Sequence, residues 1–172
     1  MLEIRRLTAA EAHHYLAALA EVLVDCVEGG ASVGFIAPFS KADAEAYLDG
    51  VIQDVAQGKR ILLAAFADSQ LMGTVQIVTD TPPNQPHRAD VSKLLVRRSA
   101  RRQGVGRQLM KQVEEVSGQE GRTLLVLDTA TGDPAEQLYL RLGWNRVGVI
   151  PRYARYPDGR WGDTAIFWKH VA

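Results

Sequence analysis

The chain has 172 residues, of which 47% are apolar, and its 20 acidic and 20 basic side chains give a formal net charge of zero. This composition fits one compact domain over residues 1–172 and excludes wholesale disorder, and the zero net charge argues against a dedicated nucleic-acid-binding protein. No run of about 18 apolar residues is present to span a membrane, and the single cysteine, Cys26, excludes an internal disulfide and a zinc-finger ligand set.

The first half of the chain predicts a strand, two helices and a hairpin. Residues 2–7 alternate as a strand does, and Thr8 with Glu11 three residues later forms a capping-box pattern that starts a helix. Gly29 and Gly30 are a stop signal for this helix. The remaining predicted elements of this half are a helix capped by Ser40 that runs to about residue 57, and two strands over 61–67 and 71–79, joined as a hairpin.

The second half predicts a strand–helix–strand unit followed by a helix and a hairpin. Residues 124–127 are all apolar, which is typical of a buried central strand. Pro157-Asp-Gly159 is a turn sequence between the last two strands. The crossover from 88 to 128 should be parallel and right-handed. The predicted elements are a strand over 88–96, a helix to about residue 120, a strand over 123–128, a helix from Asp133-Pro134 to Gly143, and strands over 144–156 and 163–169.

The turn after the strand 88–96 combines glycines with basic side chains. Gly104 and Gly106 carry no Cβ and let a ligand approach the backbone where the next helix begins. A helix N-terminus offers unpaired N–H groups and partial positive charge, which suit a phosphate. The arginines around this helix start are Arg97, Arg98, Arg101, Arg102 and Arg107. The pattern predicts a pyrophosphate site; a glycine turn flanked by solvated arginines is the structural alternative.

The spacing of these residues distinguishes among pyrophosphate motifs. Gly106 is not followed by the Lys-Ser or Lys-Thr of a Walker motif, and the third glycine of the dinucleotide fingerprint is absent. The sequence Arg101-x-x-Gly104-x-Gly106 instead resembles the acetyl-CoA-binding motif Q/R-x-x-G-x-G/A of the GNAT N-acetyltransferases. A second GNAT motif, A-x-x-x-Y-x-x-x-G-F/W, is matched by Ala135-Glu-Gln-Leu-Tyr-Leu-Arg-Leu-Gly-Trp144. The order of the predicted elements is also that of the GNAT fold.

The resemblance implies a fold of the α/β (mixed α+β) class: a mostly antiparallel seven-stranded sheet, with strands 4 and 5 parallel and splayed, flanked by four helices. It implies an N-acetyltransferase that transfers the acetyl group of acetyl-CoA to the primary amine of a small molecule by direct attack in a ternary complex. Three segments further resemble the tabtoxin-resistance acetyltransferases, which implies an amino acid or an amino-acid-like antibiotic or toxin as acceptor. These segments are Gly29–Phe35, Leu127-Asp-Thr129 and Pro157-Asp-Gly159. Two alternatives stay open: a protein or peptide N-acetyltransferase, and a non-catalytic CoA-binding module.

The resemblance also implies which residues bind acetyl-CoA. Pantetheine would pair with the backbone of Leu94 and Val96 at the free edge of their strand, while the N–H of Leu95 would polarise the thioester carbonyl. Gly132 lies where many family members have an asparagine that holds pantetheine, so its neighbours must supply that contact. The implied acetyl-CoA-binding residues are Leu94, Leu95, Val96, Arg101, Arg102, Gln103, Gly104, Val105, Gly106, Arg107, Thr131 and Asp133. We predict no metal site.

Acyl transfer to an amine needs a base that takes the amine proton and an acid that protonates the leaving thiolate. Tyr139 matches the family position that faces the departing sulfur and is the predicted general acid; packing in an amphipathic helix is its structural alternative. Asp128, at the end of the central strand, is the predicted general base or the group that binds the substrate ammonium. Asp90 is the other candidate base and would act through a water. His87 and the His13-His14 pair are further titratable candidates.

The acceptor pocket is predicted to combine the glycine-rich loop after the first helix with the final hairpin. Glycines let this loop close over a small ligand; the alternative is a loop anchored by packing of Phe35. The predicted substrate-binding residues are Gly30, Ser32, Phe35 and Tyr153. We expect a small-molecule amine as partner, no nucleic acid and no membrane, and we leave open a homodimer. The N-terminus lacks the apolar centre of a signal peptide, so we expect a cytoplasmic protein.

Overall fold

Seven strands form a single sheet in the computed structural model, which describes residues 1–172. The strands are β1 (Leu2–Leu7), β2 (Arg60–Ala67), β3 (Gln70–Val78), β4 (Arg88–Val96), β5 (Leu124–Ala130), β6 (Asn145–Arg155) and β7 (Trp161–His170). The helices are α1 (Ala9–His14), α2 (Leu16–Glu28), α3 (Lys41–Ala56), α4 (Val105–Gln119) and α5 (Pro134–Arg141), with a short 3₁₀ turn at Arg98–Ala100. The strand order across the sheet is β1-β2-β3-β4-β5-β7-β6.

The pairing of β4 with β5 differs from every other pairing in the sheet. These two strands are parallel and all other neighbours are antiparallel, as predicted. The parallel pairing covers only the three residue pairs from Arg88–Leu124 to Asp90–Val126. Beyond Asp90 the strands separate, which leaves a space that we call the β4–β5 gap. The later part of β4 therefore has a free edge.

An apolar core lies on each face of the sheet. Helices α4 and α5 cover one core, and α1, α2 and α3 cover the other; we call the two sides the α4–α5 face and the α2–α3 face. Leu62 and Leu63 of β2 are both buried, in opposite cores, because successive strand side chains point to opposite faces. A strand that is buried on both faces has a nearly continuous apolar sequence, as β2 has.

The first predicted helix is interrupted at Tyr15, so five helices flank the sheet where the sequence predicts four. The capping box of Thr8 and Glu11 starts α1 as predicted, but Tyr15 has φ −92° and ψ 10° and ends it. The Tyr15 ring packs against Phe66 with 5.0 Å between ring centroids, and its hydroxyl accepts a hydrogen bond from Arg5 at 3.4 Å. These contacts hold Tyr15 against the sheet, and α2 starts anew after it.

Gly73 on β3 allows β3 and β4 to approach closely. A Cβ at this position would lie 2.6 Å from the carbonyl oxygen of Leu95. Gly73→Ala should therefore lower the free energy of unfolding by about 1–3 kcal/mol in urea denaturation, because the two strands must move apart. Gly148→Ala on β6 is the matched control: a Cβ there meets no heavy atom within 4 Å, so this variant should not lose stability. Equal losses in both variants would contradict this interpretation.

Candidate active site

The free edge of β4 presents backbone groups that have no partner strand to the β4–β5 gap. Adjacent residues of a strand direct their N–H and C=O groups to opposite edges. The N–H of Arg97 donates to the carbonyl of Met72 on β3 at 2.9 Å. By this alternation the backbone groups of Val96 and Leu94 face away from β3 and into the gap. These are the groups that the sequence predicts to pair with pantetheine.

Leu95 is a correction to the predicted set. It pairs with Thr74 of β3, and its carbonyl oxygen is the atom that Gly73 approaches. Its backbone groups therefore face β3, and its side chain is buried on the α2–α3 face. Neither reaches the β4–β5 gap. The N–H of Leu94, one residue earlier, faces the gap and replaces that of Leu95 as the candidate donor to a thioester oxygen.

A β-bulge in β4 redirects Lys93, a residue that no sequence motif marks as functional. Two residues of β4, Lys93 and Leu94, lie opposite the single residue Val75 of β3. Lys93 has φ +53°, a left-handed conformation that is uncommon outside glycine. In a regular strand Lys93 would share the α4–α5 face with Val91. The bulge turns it instead to the α2–α3 face, where its amine lies against the Phe35 ring.

Helix α4 begins beside the end of β4 with an uncapped N-terminus. Gly104 is the N-cap residue, with φ +82°, and no side chain caps the helix. The first bond within the helix runs from the N–H of Gln108 to the Gly104 carbonyl at 3.0 Å, so the N–H groups of residues 105–107 have no partner in the helix. Capping boxes close the N-termini of α1 and α3. The arrangement at α4 suits an anion.

The arginine cluster divides into two groups. Arg97 forms an ion pair with Glu21 at 3.3 Å, and Arg98 forms one with Asp25 at 2.9 Å. Both arginines are thereby tied to α2 and are less available to a phosphate than the rest of the cluster. The arginines of the cluster that are exposed and take part in no ion pair are Arg101, Arg102 and Arg107.

Three further residues predicted at this helix start have a side chain, or for Gly106 a Cβ position, that contacts the protein itself. Val105 is buried in the core. The Gln103 amide donates to the Ser99 carbonyl at 3.0 Å. A Cβ on Gly106 would lie 3.3 Å from Cδ2 of Leu138, so this glycine lets α5 pack against α4. Val105 and Gly106 therefore offer only their backbone N–H groups to a ligand, and the side-chain positions of all three residues serve the fold.

Tyr139 of α5 lies between the core and the β4–β5 gap. Its ring packs against Trp144 and Phe167, with centroid distances of 6.0 and 5.9 Å. Its hydroxyl makes no hydrogen bond within the protein. The fully buried side-chain polar atoms that lack a partner are the Ser117 hydroxyl and the Trp144 Nε1, so the Tyr139 hydroxyl is not completely enclosed. Burial raises the pKa of the Tyr139 phenol, and the nearby charge of Asp128 raises it further. The hydroxyl is therefore a protonated donor that a ligand can reach.

Asp128 and Asp90 face the same side of the sheet, because their neighbours along each strand are buried on the α4–α5 face. Asp128 is exposed and accepts a hydrogen bond from the Thr164 hydroxyl at 3.2 Å. Asp90 forms an ion pair with Arg88 and belongs to the last parallel residue pair. Asp128 thus lies at the open part of the β4–β5 gap, and Asp90 lies where the gap closes.

The N–H groups of the segment after β5 are already occupied. The N–H of Thr131 donates to the Asp163 carbonyl at 3.0 Å, and that of Gly132 donates to the Glu136 carboxylate at 2.9 Å. Asp133 precedes α5 without a side-chain hydrogen bond to the helix, and burial raises the pKa of its carboxyl group. The side chains of Thr131 and Asp133 are therefore the groups of this segment that stay available to contact pantetheine.

The loop between α2 and α3 (residues 29–40, the α2–α3 loop) is tied to the final hairpin. The N–H of Ala37 donates to the carbonyl of Pro157, in the turn between β6 and β7, at 2.9 Å. Phe35 packs against Phe39 and Tyr47, with ring centroids 4.4 and 5.1 Å apart. Phe35 therefore anchors the loop and also forms a wall beside Lys93.

The other predicted acceptor residues are not brought together. Gly30 has φ +88° and donates its N–H to Val27 at 3.0 Å, so it terminates α2. Ser32 is half-buried in the α2–α3 loop. Tyr153 is 53% exposed, in the part of β6 that does not pair with β7. Only Phe35 of the predicted set contacts the side chains that face the β4–β5 gap.

A cavity of about 440 Å³ lies at the opposite end of the sheet, beside the start of β2. Its Arg6 is paired with Glu120 and its Arg60 with Asp54, and no predicted site residue lines it. We therefore place the site at the β4–β5 gap. No three histidine, cysteine or carboxylate side chains converge on a metal position, and no helix is both long and apolar enough to cross a membrane. The histidine candidates His13, His14 and His87 are exposed and lie outside the gap.

Comparisons with known proteins agree with this geometry. A family model described as the acetyltransferase (GNAT) family matches residues 31–144. An uncharacterized N-acetyltransferase from the hisH-hisA intergenic region of Azospirillum brasilense is 29% identical over 157 residues, which cover 90% of this chain and 88% of that protein.

Two solved structures illustrate the shared fold. The protein yncA from Salmonella typhimurium was solved with its cofactor acetyl-CoA. It matches this chain with a TM-score of 0.79 at 17% identity, and the match covers 99% of this chain and 94% of the yncA chain. A ribosomal-protein-alanine N-acetyltransferase from Brucella melitensis matches with a TM-score of 0.79 at 23% identity, and the match covers 98% of this chain and 99% of that protein.

Proposed function

The chain belongs to the GNAT acetyltransferase family, and we propose that it transfers the acetyl group of acetyl-CoA to the primary amine of a small molecule. The observation that carries the proposal is the β4–β5 gap, which opens after Asp90 and ends beside the uncapped N-terminus of α4. A ligand that has an extended arm and a pyrophosphate can use both features at once.

The residues at the gap fit acetyl-CoA. Its pantetheine arm carries amide groups, and the free backbone groups of Leu94 and Val96 can pair with them as with an added strand. The pyrophosphate suits the unpaired N–H groups of residues 105–107 and the exposed arginines beside them. Arg101 now donates from Nε to the Val96 carbonyl at 3.4 Å, and this contact must give way when the arm pairs there.

The proposed reaction is direct attack of the amine nitrogen on the thioester carbon. The N–C bond forms, the C–S bond breaks, and CoA leaves with the sulfur. Asp128 takes the proton of the attacking amine, Tyr139 protonates the sulfur, and the N–H of Leu94 stabilises the charge that develops on the thioester oxygen. Asp90 is the alternative base, acting through a water. The charge of Asp128 raises the pKa of the Tyr139 phenol, which supports placing the base and the acid near each other.

Cys26 supports direct attack over an acetyl-enzyme. It is distant from both motifs in the sequence, but its sulfur lies 3.5 Å from the Val96 carbonyl. Burial raises the pKa of its thiol, and the residue is 2% exposed. A thiol that keeps its proton is a poor nucleophile.

The enclosure of the acceptor side favours a small amine over a protein segment. The Ala37–Pro157 hydrogen bond joins the α2–α3 loop to the final hairpin, and the rings of Phe35 and Tyr47 narrow the space beneath. A peptide would need an open groove there. The non-catalytic CoA-binding alternative gives no role to a protonated phenol and a carboxylate beside the thioester position.

A screen of acceptors tests this proposal. The protein is incubated with acetyl-CoA and, separately, with amino acids, diamines, aminoglycosides and short peptides, while free thiol is followed and products are identified by mass spectrometry. We expect thiol release that depends on a small amine and yields its N-acetyl derivative. Turnover with peptides alone would support a protein acceptor, and CoA binding without any turnover would support the binding module.

The exposed arginines should control acetyl-CoA affinity. Charge-assisted contacts to phosphate contribute about 1.5–3 kcal/mol each when fully engaged. Arg102→Ala should raise the KM for acetyl-CoA about tenfold with little change in kcat, and adding Arg107→Ala should raise it further. Lys111→Ala, an exposed substitution further along α4, is the control and should leave KM unchanged. If calorimetry gave the double variant the CoA affinity of the wild type, the phosphate site would be misplaced.

A further inference from the structure

Lys93 is a cation without a carboxylate partner, held beside the proposed reaction centre. The bulge of β4 directs it to the α2–α3 face, next to the residue whose N–H faces the thioester position. Its amine lies 5.9 Å from the ring centroids of both Phe35 and Tyr47. The ion-paired lysines of the protein are Lys41 and Lys169, and Lys93 belongs to no such pair.

The surroundings of Lys93 leave its charge incompletely compensated. Burial lowers the pKa of the Lys93 ammonium, and the charge of Asp128 opposes that shift without contacting the amine. The aromatic rings supply a modest cation–π attraction. A partly buried cation without a close anion is costly, and a strained backbone that keeps it there is characteristic of functional sites.

The nearby polar groups are occupied and cannot serve as partners for Lys93. Tyr47 donates its hydroxyl to Gln76 at 3.2 Å, and Arg60 also donates to that amide oxygen. Asp54, the carboxylate of this network, is held by Arg60 at 2.9 Å. The network fixes the Tyr47 ring beside the amine and offers Lys93 no anion, so the charge of Lys93 is free to pair with a ligand.

Two opposite charges therefore face one side of the β4–β5 gap, Asp128 from β5 and Lys93 from β4. A zwitterion matches this pair, with its ammonium toward Asp128 and its anion toward Lys93. A Cβ on Gly34 would lie 3.5 Å from the Lys93 amine, so the α2–α3 loop passes directly over this position and limits the size of what binds.

We propose that Lys93 binds a carboxylate of the acceptor, so that the enzyme selects amines that carry a carboxylate, of which an amino acid is the simplest. The inference rests on the proposed acetyl transfer to a small amine and adds the substrate class and the residue that determines it. One lysine between aromatic walls provides a single positive charge, which matches a single carboxylate.

The test compares each common L-amino acid with its own carboxamide, which keeps the amine and side chain but removes the negative charge. For the wild type, kcat/KM for the acids should exceed that for the amides by at least about tenfold. Lys93→Met should abolish this preference by raising the KM for the acids, with rates on the amides within about threefold of the wild type. Lys93→Arg, which keeps the charge, should retain part of the preference.

Three results would overturn the inference. A wild type that acetylates amides as well as acids would show that no carboxylate is recognised, while acetyl transfer to small amines would stand. A Lys93→Met variant with equal losses on acids and amides, at unchanged melting temperature, would make Lys93 a structural residue. No turnover of any acid or amide would overturn it too, and the proposed function would fall with it only if no other amine of the acceptor screen were acetylated.

Discussion

Replacing Tyr139 by phenylalanine should lower kcat at least about tenfold, because general acid catalysis typically contributes about 10²–10⁴ in rate. The ring that packs against Trp144 and Phe167 is retained, and the hydroxyl makes no hydrogen bond within the protein. The free energy of unfolding should therefore change by less than about 1 kcal/mol. Steady-state kinetics with an established acceptor and urea denaturation measure the two effects.

Tyr15→Phe is the matched control for Tyr139→Phe. Tyr15 is also a packed tyrosine, but its hydroxyl bonds to Arg5, away from the β4–β5 gap. Its loss should leave kcat unchanged. A Tyr139→Phe variant with full activity would make Tyr139 a packing residue, and the proton for the thiolate would have to come from water or from another group.

Asp128→Asn should lower kcat by about 10²–10⁴ with little change in the KM for acetyl-CoA. Asparagine keeps an oxygen that can accept the Thr164 hydrogen bond, so the side chain stays in place while the base is lost. The deficit should shrink as the pH rises toward the pKa of the acceptor amine, about 10 for an alkyl amine, because the acceptor then arrives deprotonated. Rates measured from neutral to alkaline pH check both effects.

Two substitutions accompany the Asp128 experiment. Asp49→Asn, on the exposed side of α3, is the control and should leave activity unchanged. Asp90→Asn should have a smaller effect than Asp128→Asn, because Asp90 is paired with Arg88 where the gap closes. If Asp90→Asn had the larger effect and the stronger pH dependence, the base would be Asp90 acting through a water.

Local sequence patterns predict most of the fold. The capping box at Thr8 and the cap at Ser40 form as their patterns indicate, because a cap depends only on residues three positions apart. The parallel pairing of β4 with β5 follows from the strand–helix–strand order, and the family resemblance is confirmed. The break at Tyr15 is missed because the helical spacing of apolar residues continues across it.

The candidate site is harder to predict, because it depends on pairing between distant residues. Arg97 and Arg98 are part of the basic turn, but their acidic partners are on α2, more than 70 positions earlier. The orientation of Leu95 depends on its register with β3. The bulge at Lys93 also arises from pairing, and the run Val91–Val96 has no glycine or proline to signal it. The likeness to tabtoxin-resistance acetyltransferases stays a prediction.

A single-turnover labelling experiment tests the central claim most directly. The enzyme is mixed with acetyl-CoA that carries an isotopically labelled acetyl group and with the best small amine from the screen, and the label is located by mass spectrometry. Direct transfer predicts label on the amine nitrogen of the acceptor, equal in amount to the free CoA formed, and none on the protein. Label on Cys26, or CoA release without a labelled amine, would contradict direct acetyl transfer at the β4–β5 gap.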